Sequence, residues 1–142
     1  MKTKLIRITT APISLNILLK GQHKYMCDKG FEVVGVSSDG QYLKEVAENE
    51  KIKIVAINMT RIISPLRDIR SLFAFYLLCR REKPHIVHSH TPKAGIVGML
   101  GAKLARVQIR LHTVAGLPLM EAKGFRRIVL ELVEKFTYRC ST

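Results

Sequence analysis

Tryptophan is absent from this 142-residue chain, and its other aromatics are four Tyr and five Phe. Single-stranded nucleic acid is gripped by aromatic platforms interleaved with basic groups. Most of the rings here fall on faces that read as buried, which argues against that use without closing it. The three cysteines, Cys27, Cys79 and Cys140, lie far apart. An odd number without close spacing argues against a disulfide framework and a zinc knuckle, and fits a reducing cytosol. Long apolar runs are missing too. The stretch Ser71 to Cys79 falls far short of the roughly 20 residues that cross a bilayer, so no transmembrane span is expected.

Missing motifs narrow the chemistry further. A dinucleotide-binding domain places G-x-G-x-x-G between its first strand and helix, where bare backbone approaches a pyrophosphate. Thr9-Thr10-Ala11-Pro12-Ile13-Ser14 occupies that place without a glycine, which excludes NAD. Asp39 then reads as a helix cap rather than a ribose-binding acid. No G-x-S-x-G elbow occurs. Ser89 lies between two histidines but on the opposite face of its strand, so no nucleophile with an adjacent base is visible. Acidic residues are scarce, with 11 Asp and Glu against 24 Lys and Arg. His85, His88 and His90 form H-x-x-H-x-H, with no neighbouring Asp, Glu or Cys to complete a ligand set. Alternation also sends His85 to the other face. Neither a metal nor a cofactor is expected.

The imbalance leaves a formal charge of +13. It favours an anionic partner: a membrane surface, nucleic acid or a phosphorylated substrate. The plain alternative is a basic surface that serves solubility alone.

Strand and helix patterns alternate along the chain. Strands are predicted near residues 4–10, 31–37, 52–57, 85–90 and 107–114, with Arg7 an awkward occupant of a central one. Ser14 to about Lys29 reads as one helix with Leu15, Leu18, Leu19, Tyr25 and Met26 on a single face and Gly30 as C-cap. Asp39 can cap a short helix through Glu48. Ser64-Pro65 opens a helix with Asp68 near its positive end, and Arg80, Arg81 and Lys83 complement its negative end before Pro84. Leu66, Ile69, Leu72, Phe73, Leu77 and Leu78 predict that this helix is broadly buried. On a last helix, Gly124 to Tyr138, the residues Phe125, Ile128, Val129, Leu132, Val133 and Phe136 keep the spacing of a core-facing stripe. With Arg126, Arg127, Lys135 and Arg139 around it, the same stripe would also suit a membrane interface. The alternation predicts an α/β fold: one Rossmann-like parallel sheet in the order 3-2-1-4-5, with helices on both faces and right-handed crossovers. One domain spans 1–142 at this length. A helix ending near Cys140 should feed a further strand, so the chain is expected to be part of a longer polypeptide.

His85 to Pro118 carries the candidate site. His85-Ile86-Val87-His88 is a short buried strand, and Thr91-Pro92 supplies an N-cap hydroxyl and a first-turn proline. Gly95, Gly98 and Gly101 put a smooth stripe on the helix that lets it lie close on a sheet. Val107 to His112 is the next strand. His88, His90, Thr91 and His112 then fall near the carboxyl ends of neighbouring strands, where open α/β sheets bind ligands. Alternation puts Val107, Ile109 and Leu111 on one face of the fifth strand and Gln108, Arg110 and His112 on the other. A strand covered on both sides should be nearly all apolar. Either an edge position leaves the polar face wet, or His112 ends the strand at a cleft, where an imidazole can donate or accept a hydrogen bond. His90 and Thr91 would line that cleft, with the helix start offering N–H groups to an anion.

IVHSHTPKAGIVGMLGAKLARV followed by IRLHTVAGLPLME resembles the amino-terminal domain of the retaining glycosyltransferases of family four, the two-domain GT-B group. The likeness is greatest to members that build bacterial capsular or O-antigen polysaccharides, and it covers essentially the whole chain. The family's V-H-x-H pattern falls on His88 and His90, and its His-Thr pair on His112 and Thr113. Gly116-Leu117-Pro118 resembles the segment that follows. The chain departs at the first loop, where many members carry two adjacent glycines and Thr10-Ala11-Pro12 stands here.

The resemblance implies the amino-terminal, acceptor-binding half of a GT-B fold. Such enzymes move a sugar from a nucleotide-sugar, often UDP-linked, to an acceptor without a metal. The implied acceptor is a lipid-linked glycan at the inner, cytoplasmic face of the plasma membrane. His112 would be catalytic, and His88, His90, Thr91, Thr113 and Gly116 would bind substrate. The +13 charge suits peripheral attachment to an anionic membrane surface. The nucleotide would be held by a carboxyl-terminal domain that these residues do not include, so the chain alone should be inactive. Two other readings stay open: a non-catalytic membrane-recruiting subunit that pairs with a separate donor-binding chain, and a basic nucleic-acid-binding domain.

Overall fold

The computed structural model describes residues 1–114 and 118–142. Five short strands, β1 (Lys4–Ile8), β2 (Glu32–Ser37), β3 (Lys53–Ala56), β4 (Ile86–Ser89) and β5 (Ile109–His112), form one sheet in the order β3-β2-β1-β4-β5. Every pairing is parallel. The expected topology is therefore the observed one. Its helices are α1 (Gln22–Asp28), α2 (Gln41–Glu50), α3 (Pro65–Glu82), α4 (Pro92–Leu104), a four-residue α5 (Pro118–Glu121) and α6 (Phe125–Cys140).

Two apolar layers sandwich the sheet, as the near-continuous apolar runs of β1 and β2 require. Leu5 and Val33 meet Leu15, Leu19, Leu43 and Val46 on one face. Ile6, Ile8, Val34, Val36 and Val87 meet Phe75, Leu78, Ala94, Val97 and Met99 on the other. Arg7 sits on the first of these faces and is only 6% exposed. Its Nη1 donates to Gln22 Oε1 at 3.1 Å, and burial pushes its pKa below the ordinary value against the pull of Glu50.

The single helix expected from Ser14 to Lys29 is broken. Ser14–Leu18 forms a π-helical turn, and α1 restarts after Gly21, whose φ of 77° is open to glycine. The side chain of Glu50, at the end of α2, accepts from the backbone N–H of Gly21 at 2.5 Å and of Lys24 at 2.8 Å. It thereby caps α1 from a distance. Leu15 and Leu19 are buried as expected, but Leu18 and Tyr25 face solvent.

The expected glycine stripe also divides its work. Three residues fall about 60° short of a full helical turn, so the three positions face three neighbours. A Cβ at Gly98 would lie 2.8 Å from Ile8 Cγ2 in the sheet, one at Gly95 would meet the His112 ring and Thr137, and one at Gly101 would meet Phe75 of α3. The glycines thus let α4 approach the sheet, α6 and α3 together.

That central place of α4 overturns two burial expectations. α3 and α6 pack on its flanks, and each buries only the narrow face turned toward it. α3 buries Ser71, Phe75, Leu78 and Cys79, while Leu66, Ile69, Phe73 and Leu77 are exposed. α6 buries Thr137 and Cys140, and Phe125 (81% exposed), Ile128, Leu132 and Phe136 face outward. Four of the six residues of the stripe predicted as core on α6 are therefore surface, and Val129 and Val133 are half-buried. Among the described residues no helix is long and apolar enough to cross a membrane.

Candidate functional site

The carboxyl ends of β1, β4 and β5 meet the amino-terminal end of α4, and hydroxyl groups organise the junction. Thr91 ends the loop before α4 in an extended conformation with Pro92 at the first helical position. Its Oγ1 accepts from the backbone N–H of Thr10 at 3.0 Å and lies 2.8 Å from Thr10 Oγ1. Thr10 Oγ1 in turn accepts from Ala94 N–H at 3.3 Å. Thr10 in the first loop thus occupies part of the helix start itself. Lys93 Nζ bonds Asp68 at 2.9 Å and the carbonyl of Ile62, fixing α4 to the start of α3.

The histidines separate into two groups according to the pleat. His88 stands beside Arg7 in the register, and its Nε2 shares a hydrogen bond with Thr113 Oγ1 at 2.7 Å. The rings of His88 and His90 are 4.0 Å apart. Burial, then the Arg7 guanidinium, holds His88 down to about 4. Burial, then His88 and Arg7, takes His90 down to about 3. Both rings are neutral at ordinary pH. His90 is buried, and its Nε2 has no partner among the described residues.

His112 points to the opposite face, where its Nδ1 lies 2.8 Å from Ser89 Oγ. The polar face of the fifth strand is only partly wet: Gln108 is exposed, whereas Arg110 and His112 are half-buried. Arg110 donates Nε to the Cys140 carbonyl and Nη1 to the Val107 carbonyl, each at 2.6 Å. The wetter face is the apolar one, with Ile109 and Leu111 exposed. The reason is that α4 and α6 cover only one side of this edge strand. Burial lowers the pKa of His112 as well.

His90, Thr91, His112 and Thr113 line a small space of about 10 Å³ against Leu130, Val133, Glu134 and Thr137 of α6, room for about one water. Thr91, Pro92 and Leu130 also wall a much larger cavity of about 620 Å³ between the amino-terminal ends of α4 and α6. Its lining combines Thr10 and Ser14, the cations Arg61, Lys93 and Arg126, and the apolar Ile63, Phe125 and Val129. The structure thus brings His88, His90, Thr91, His112 and Thr113 to one end of the sheet, while Gly116 lies outside the described residues. Ser89 and Gly95, which touch His112, were missed. Their signal was the alternation that turns Ser89 away from His88. Among the described residues no three His, Cys, Asp or Glu side chains gather as metal ligands would.

Residues 21–142 match the glycosyl transferase 4-like domain. The capsular polysaccharide biosynthesis glycosyltransferase CapM of Staphylococcus aureus is 40% identical over 139 residues, which are 98% of this chain and 36% of CapM. The UDP-Gal:alpha-D-GlcNAc-diphosphoundecaprenol alpha-1,3-galactosyltransferase of Escherichia coli is 28% identical over 150 aligned positions, covering 100% of this chain and 39% of that enzyme. The chain spans little more than a third of the length of either relative. The fold recurs in the UDP-GlcNAc 2-epimerase of Methanocaldococcus jannaschii, with a TM-score of 0.63, 17% identity and coverage of 99% of this chain and 38% of that one. A fold shared by transferases and epimerases does not choose between them. The family match does, and it supports neither a nucleic-acid-binding domain nor a recruiting subunit. The chain belongs to the glycosyl transferase 4-like domain family.

Proposed function

We propose that this chain is the acceptor-binding part of a retaining, metal-independent glycosyltransferase of surface polysaccharide assembly. It would receive a sugar from a nucleotide-sugar, held mainly by a carboxyl-terminal domain or partner chain, and direct it to a lipid-linked diphosphate glycan. The observation that carries this reading is the cavity between α4 and α6. Arg61 and Arg126, beside the Lys93–Asp68 ion pair, suit a diphosphate, Ile63, Phe125 and Val129 suit the first units of a lipid, and His112 lies across a shared wall. The diphosphoundecaprenol in the name of the E. coli relative has this composition. The exposed stripes of α3 and α6, flanked by Arg67, Arg70, Arg126 and Arg127, fit the inner face of an anionic membrane, where each basic residue near the surface contributes on the order of 1 kcal/mol.

Flotation with anionic vesicles, with and without a polyprenyl diphosphate sugar at matched total charge, tests the proposal. Weak binding that falls with salt, strengthened by the diphosphate lipid and reduced by Arg126→Ala, is expected. Binding that is absent at low salt, or unchanged at high salt, would overturn it. Joined to a donor-binding domain of the family, the chain should transfer sugar. His112→Ala should then lower turnover by roughly tenfold or more with little change in melting.

A further inference from the structure

Ser89 and His112 are register partners on adjacent strands. Ser89 is fully buried, and its Oγ lies 2.8 Å from His112 Nδ1. Two arrangements satisfy that distance: Nδ1–H donating to Oγ, or the hydroxyl donating to the Nδ1 lone pair. In the first, the hydroxyl proton needs an acceptor of its own. Among the described residues Ser89 Oγ has no other hydrogen-bond partner, and a stranded polar group in a buried site is unfavourable. The second arrangement leaves nothing stranded on Ser89, and it puts the ring proton of the neutral imidazole on Nε2.

The ring has a second support. A Cβ at Gly95 would lie 2.8 Å from His112 Cε1 and 3.1 Å from Nδ1, so the imidazole rests against bare backbone of α4. Side-chain oxygen at Nδ1 and bare glycine backbone beside Nδ1 and Cε1 leave that edge of the ring little room to turn.

We propose that Ser89 and Gly95 form a seat that holds His112 as its Nε2–H tautomer, so that His112 acts on its ligand as a hydrogen-bond donor and not as a base. Ser89 is then a positioning residue. A fixed donor suits an oxygen that gathers negative charge, such as that of a leaving phosphate, whereas proton abstraction would need the lone pair that Nε2 lacks in this tautomer. The chemical consequence rests on the transfer function proposed above, but the tautomer does not.

Long-range proton–nitrogen correlation spectra of the ¹⁵N-labelled chain near neutral pH read the tautomer directly. His112 should show an unprotonated Nδ1 and a protonated Nε2. Ser89→Ala, which removes a single oxygen, should give averaged nitrogens and raise the His112 pKa, because the lost bond favours the neutral ring. Gly95→Ala should displace the ring and give the same averaging. A protonated Nδ1 or averaged nitrogens in the unmodified chain would overturn the seat whatever the variants do. A single Nε2–H tautomer persisting in Ser89→Ala would overturn the part assigned to Ser89. Failure of the transfer function would appear as no turnover by the unmodified chain joined to a donor-binding domain, and normal turnover in His112→Ala would remove only His112 from it; either result leaves these spectra unchanged, so the failures are distinguishable.

Discussion

Thr10 and Thr91 hold each other across the carboxyl end of the sheet, hydroxyl to hydroxyl at 2.8 Å, and so tie the loops after β1 and β4 together. Thr10→Val keeps the shape and removes the oxygen that Ala94 N–H and the Thr91 hydroxyl both address. With Thr10 and Ala94 buried, stability should fall by about 1–3 kcal/mol. An unchanged denaturation midpoint would show that water replaces the hydroxyl.

Gly98→Ala tests how closely α4 lies on the sheet. On helix propensity alone alanine should stabilise by about 1 kcal/mol. Its Cβ, however, would stand 2.8 Å from Ile8 Cγ2, in a fully buried layer, and overpacking of that kind costs about 1–3 kcal/mol. The variant should melt lower than the parent. A higher melting temperature would mean that α4 has room to spare.

The paired histidines set a pH window. An unfolded chain protonates His88 and His90 near 6.5, whereas the folded chain refuses those protons until about 4 and about 3. Their contribution to stability is therefore complete above pH 6.5 and is lost as the pH falls toward 3. Imidazole carbon-bound proton signals of both residues should stay flat from pH 7 to pH 5, and ordinary titration near 6.5 would mean that the pair is open to water.

Glu82 sets a second, more acidic window. Lys53 at 2.5 Å and Lys4 at 3.0 Å hold its carboxyl down to about 2, the bond to Lys53 contributing most. Stability from this cluster is present above the ordinary value of 4.5 and is lost as the pH falls through 2. Glu82→Gln should reduce stability at neutral pH, and its stability should decline less than the parent's between pH 4.5 and 2. Parallel declines would remove Glu82 from the account.

The order of the sheet was legible because β-branched runs, helix-start prolines and right-handed crossovers all point to one topology. The interior of the site was not. Alternation correctly turned Ser89 away from His88, but whether it then meets His112 depends on the register between β4 and β5, which no local pattern encodes. On α6, periodicity located Phe125, Ile128, Leu132 and Phe136 on one side, but it does not say whether anything covers them. The break before α1 had a visible mark in Gly21. The Glu50 carboxylate that caps the restarted helix comes from a distant part of the chain and could not be read from that mark.

Ionic strength should act on arrival and not on what happens afterwards. The cations lining the large cavity include Arg61 and Arg126, both exposed. Their field reaches incoming phosphate over roughly a Debye length, about 10 Å at 0.1 M salt, and fades as salt is added. The histidines behind them carry no charge at neutral pH, and the bond from Ser89 to His112 is closed to solvent on the serine side. On the proposed function, with a donor-binding domain joined to the chain, added salt should therefore slow the capture of an anionic lipid while leaving the conversion of a captured one almost untouched.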